Sequence, residues 1–107
     1  MNSLVILNPE DGREPWEKLD EETPRAFSAF KTYRDLPSHG RSLARAVIKL
    51  YGEPSKSKLR QFQTWSAKYG WVERALAWDL EVDRVSRVSK LAAIKDMNER
   101  QIRVGKV

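Results

Sequence analysis

Between Thr23 and Arg103 the apolar residues recur at three- and four-residue steps, in runs ended by Pro and Gly, and this periodicity predicts four helices. Thr23 followed by Pro24 has the form of an N-cap and a first helical proline. Phe27, Phe30 and Tyr33 then mark a helix that stops at Leu36-Pro37. Ser38-His39-Gly40 reads as a loop, with His39 a turn residue. Ser42 is placed to cap a second helix whose buried stripe is Leu43, Ala46, Val47 and Leu50, and Gly52 can supply a left-handed end before Pro54. Ser55 or Ser57 caps the third helix, with an apolar face of Leu59, Phe62, Trp65, Ser66 and Tyr69 and an opposite face of Lys58, Gln61, Thr64 and Lys68.

From Trp71 to about Arg103 neither Gly nor Pro interrupts a run rich in Ala, Leu, Glu, Lys and Arg, so one long helix is expected. Its first part, through Val72, Ala75, Leu76 and Trp78, is expected to cover the preceding helices. Beyond them Val82, Val85, Val88 and Leu91, followed by Ala92 and Ile94, form an apolar set that a three-helix domain has no surface left to bury. The expected fold is therefore all-α, a small helix-turn-helix domain followed by a long C-terminal helix. An arm occupies residues 1–22, the domain residues 23–78, and the start of a helical oligomerisation segment residues 79–107. In the arm, Leu4–Leu7, Trp16 and Leu19 interrupt a polar stretch, and Trp16 is expected to clip it onto the domain.

Composition narrows the chemistry. The 107 residues contain no cysteine and one histidine, which excludes disulfides and thiolate metal sites and makes a cofactor unexpected. The Leu4–Leu7 run is too short for a signal peptide and lacks a basic lead, and no stretch approaches the roughly 20 apolar residues of a membrane span, so a cytosolic protein with no membrane partner is expected. The net charge of +5 is unevenly spread: residues 1–30 carry −4, residues 31–70 carry +7, and residues 71–107 carry +2. The positive excess coincides with the helix-turn-helix pattern, which points to double-stranded DNA.

Side-chain chemistry divides the candidate DNA contacts. Arg41, Arg45, Lys56, Lys58 and Lys68 suit phosphates, with Ser57 beside them at the helix start. Arg60, Gln61 and Thr64 suit base edges: Arg for guanine, Gln for adenine, Thr for a hydrogen bond or a thymine methyl. The cations that open the third helix are unfavourable to its dipole by a few tenths of a kcal/mol each, as expected where an anion binds. There is no Gly-rich phosphate loop, no nucleophile beside a base and no metal set, and catalysis is not expected.

The segments PWEKLDEETPRAFSAFKTYRDLP, RSLARAVIKLYG and WSAKYGWVERALAWD, with Trp65-Ser66 and Trp71-Val72-Glu73-Arg74 following a helix-turn-helix, resemble the N-terminal DNA-binding region of bacteriophage terminase small subunits over Pro15 to Arg84. Two features depart from that pattern: Ile48 stands where a small residue is common, and the stretch from Gly52 to Trp65 is longer than in a compact motif. The resemblance implies a noncatalytic subunit acting in the host bacterial cytoplasm. It would bind the packaging start site on viral DNA and deliver that DNA to the terminase large subunit, which holds the ATPase and nuclease. It also implies ring assembly through helices after the DNA-binding domain, and further oligomerisation sequence with a segment for the large subunit beyond Val107. The residues alone leave two alternatives, a helix-turn-helix regulator of transcription or recombination and a helical protein-interaction module.

Overall fold

A computed structural model describes residues 12–105, with side chains described through residue 99; Leu4–Leu7 lies outside them. The described residues form four α-helices: α1 over Pro24–Arg34, α2 over Leu43–Tyr51, α3 over Lys56–Tyr69 and α4 over Trp71–Gly105, with a 3-10 turn at Ser38–Gly40. The expected all-α architecture with a long last helix is present.

Each of the first three helices starts where a short hydroxyl side chain can replace a missing backbone partner. Thr23 Oγ1 accepts from the Ala26 amide at 3.1 Å, Ser42 Oγ from that of Arg45 at 3.1 Å, and Ser55 Oγ from that of Lys58 at 3.2 Å. Ser55, not Ser57, is therefore the cap of α3. Gly52 ends α2 at φ +87° and Gly70 ends α3 at φ +65°, backbone conformations that a side chain would strain. Gly70 is also the whole connection between α3 and α4, so its left-handed geometry sets how the long helix leaves the domain.

The core gathers around Trp71. Its ring lies 5.8 Å from Phe30, 5.7 Å from Tyr33, 5.7 Å from Phe62 and 6.3 Å from Trp65, centroid to centroid, so one side chain joins α1, α3 and α4. Ala26, Ala29, Ala46, Val47, Tyr69 and Ala75 complete it. Leu50, expected in the buried stripe of α2, is exposed at the helix end.

The larger correction concerns the first turns of α4. Val72 and Leu76 do not cover the domain; they are 51% and 54% exposed. The inward face is Trp71, Arg74, Ala75 and Trp78, at three-, one- and three-residue steps. Arg74 and Glu22 are fully buried together: the guanidinium donates to both Glu22 carboxylate oxygens at 2.9 and 3.0 Å and to the carbonyls of Pro15, Glu17 and Tyr69 at 2.7, 3.0 and 3.3 Å. All five guanidinium hydrogens are thus used, and the arm is fastened to α4. Trp16 adds the expected clip, its ring 5.8 Å from that of Trp78, while Arg34 stacks on Trp78 at 4.2 Å and donates to the Trp16 carbonyl.

Candidate nucleic-acid interface

The α2–α3 pair presents the outer face of α3 to solvent because Leu59, Phe62, Trp65 and Tyr69 turn the other face into the core. Lys56, Arg60, Thr64 and Lys68 are all exposed and recur every four residues, so they form one ridge about 18 Å long. Ser57 and Gln61 flank it on one side. Gln63 and Ala67, which sequence reasoning left out, flank it on the other. A helix with small and polar flanks of this kind fits a major groove about 12 Å wide.

The charge environment is one-sided. α3 contains no acidic residue, and Glu53 is the single carboxylate in sequence between Asp35 and Glu73, a stretch with seven Lys and Arg residues. Among the described residues the side chains of Lys56, Arg60 and Gln61 make no hydrogen bond or ion pair, so their donors face solvent. Thr64 Oγ1 donates to the Arg60 carbonyl at 3.1 Å, so its methyl and its oxygen lone pairs are what remain to face outward. Arg45 is exposed on α2, its guanidinium resting over Gly40.

Two expected contacts stand elsewhere. Arg41 is drawn into the fold: it pairs with both oxygens of Asp79 at 2.7 and 2.8 Å and donates to the carbonyls of Tyr33, Arg34 and Leu36. Hydrogen bonding to Asp79 raises its already high pKa, and it leaves the candidate phosphate set. Beside it, burial raises the Tyr33 phenol above its ordinary value, an effect that the Arg41 charge opposes. Lys58 belongs to the inner side of α3, half-buried with its ammonium 4.9 Å from the centre of the Tyr51 ring, where it braces the α2–α3 turn. Lys68 stays on the outer ridge, close to the edge of the core at Tyr69.

The expected oligomerisation residues Val82, Val85, Val88 and Leu91 are all exposed on the part of α4 beyond the domain. They do not share a straight face. Three residues advance about 300° around a helix, so the set winds through about half a turn from Val82 to Leu91. No described helix is long and apolar enough to cross a membrane, and among the described residues no three His, Asp or Glu side chains gather at metal-binding distance.

No protein-family model matches the chain, and neither does any curated protein or solved structure.

Proposed function

We propose that the chain is a noncatalytic, duplex-DNA-binding subunit of a viral DNA-packaging terminase, using α3 as the helix that enters the major groove. The observation that carries the DNA-binding part is the acid-free ridge Lys56, Arg60, Thr64 and Lys68, exposed along one side of a helix whose opposite side is anchored in the core. Lys56, Lys68 and Arg45 serve the phosphates, and Arg60, Gln61 and Thr64 the base edges. The packaging role rests on the resemblance of Pro15 to Arg84 to terminase small subunits. In that role the chain recognises the packaging start site in the host cytoplasm, self-associates through α4 and passes DNA to the large subunit.

Duplex binding measured across a range of salt concentrations tests the first part. Each phosphate contact steepens the logarithmic salt slope by about 0.9, so replacing Lys56 and Lys68 together with Ala should flatten it by roughly two. Arg60→Ala and Gln61→Ala should instead alter sequence preference more than affinity for random duplex. An unchanged slope in the double variant would remove α3 as the DNA surface. For the packaging part, the chain should stimulate the ATPase of a large terminase subunit encoded beside it; a neighbourhood without such a gene favours the regulator reading.

A further inference from the structure

We propose that the outer face of α4 pairs with the same face of a second copy, antiparallel, about a two-fold axis level with residue 85. This rests on the self-association part of the proposed function, gives it a closed two-fold pair in place of the ring that the resemblance implies, and does not depend on DNA binding. The face is defined by side chains that the domain leaves uncovered. Leu76, Leu80, Leu91 and Ile94 are 54%, 72%, 65% and 54% exposed, and between them lie Asp83 and Arg87, ion-paired at 2.7 Å on the surface. At about 100° per residue these six side chains fall within about 80° of one another, on the side of α4 away from Trp71, Arg74, Ala75 and Trp78.

The order along this face is self-complementary. Leu76 stands nine residues before position 85 and Ile94 nine after; Asp83 stands two before and Arg87 two after; Leu80 and Leu91 match to within one residue. Turning a second helix end for end therefore lays Leu76 on the partner's Ile94 and Leu80 beside the partner's Leu91. It also sets Asp83 against the partner's Arg87 twice, once on each side of the axis. A parallel pair would oppose Asp83 to Asp83 and Arg87 to Arg87, like charge against like charge. The symmetry is that of an isologous dimer, and the matched span from residue 76 to residue 94 is about 27 Å long. Val82 and Val85 lie on the other side of the helix and take no part in this contact.

The absence of cysteine makes the register directly measurable. Full-length chains carrying Leu76→Cys alone and Ile94→Cys alone should each resist cross-linking under mild oxidation, whereas their mixture should form the 76–94 disulfide. In sedimentation at rising concentration the natural chain should approach twice its monomer mass. Leu80→Asp, at an exposed position, should stay monomeric with unchanged helicity. A strict monomer at high concentration, a dominant 76–76 disulfide, or a Leu80→Asp chain that still dimerises would each overturn the proposal. Loss of association in Val85→Asp with retention in Leu80→Asp would also overturn it, while leaving self-association through α4 standing.

Discussion

Arg74 and Arg60 lie on consecutive helices and carry the same side chain, yet their surroundings are opposite. Arg74 is fully buried, with five donors on five acceptors drawn from the arm, the end of α3 and the Glu22 carboxylate. Arg60 is exposed on an acid-free helix and makes no side-chain bond among the described residues. The difference lies in where carboxylates and loose carbonyls are available. The acidic, irregular arm brings both to Arg74, and the cationic α2–α3 region brings neither to Arg60. Arg74 therefore builds the domain, whereas Arg60 is left on its surface.

The largest test of this contrast is to remove Arg74. Arg74→Met leaves the Glu22 carboxylate buried without its partner and strands the carbonyls of Pro15, Glu17 and Tyr69. Breaking a buried pair in this way costs about 3–5 kcal/mol, comparable to the whole stability of a small domain. Chemical denaturation should show a chain close to unfolded, and adding Glu22→Gln to Arg74→Met should recover part of the loss by deleting the stranded charge. A fully stable Arg74→Met would mean that the arm is not fastened by this contact.

Arg41→Ala should cost less. Its partner Asp79 is 29% exposed at the side chain and can take up water once the guanidinium is gone, so we expect about 1.5–3 kcal/mol, chiefly from the three backbone carbonyls left behind. If Arg41 contacted phosphate instead, the same substitution would leave denaturation unchanged and weaken duplex binding.

These two arginines also mark where the sequence stopped being readable. The helices themselves were legible because their ends are local chemistry: Thr23-Pro24, Ser42 and Ser55 cap, Gly52 turns, and nothing breaks Trp71 onward. The outer ridge of α3 was legible in Arg60, Gln61, Thr64 and Lys68 because the aromatic residues fix the inner face. The inward face of α4 was not, since a pattern of apolar residues assigns Arg74 to solvent and so rotates the stripe toward Val72 and Leu76. Only knowing that Glu22, 52 residues earlier, waits in the interior turns Arg74 inward. Arg41 was misplaced for the same reason, its partner Asp79 lying 38 residues away. Lys58 was misplaced by a different one, its ammonium resting over the Tyr51 ring on the inner side of α3 while its type suggests the outer face.

The smallest effect on the fold carries the sharpest contrast. Lys56 is the first residue of α3, where the positive end of the helix dipole disfavours a cation and favours an acid. It is exposed and makes no side-chain bond among the described residues, so its replacement breaks no contact of theirs. Lys56→Glu should therefore stabilise the domain slightly, by about 0.3–1 kcal/mol at low ionic strength, an increment that salt screens away. The same substitution places a carboxylate where a DNA phosphate is expected and should weaken duplex binding strongly. Stability and affinity would then move in opposite directions from one surface position, the signature of a residue retained for a ligand at the expense of its own helix. Paired denaturation and duplex-binding measurements at low and moderate salt decide the matter: a more stable chain with undiminished affinity would make the cation at the start of α3 a solvated charge and return the search for the DNA contact to Arg60 and Lys68.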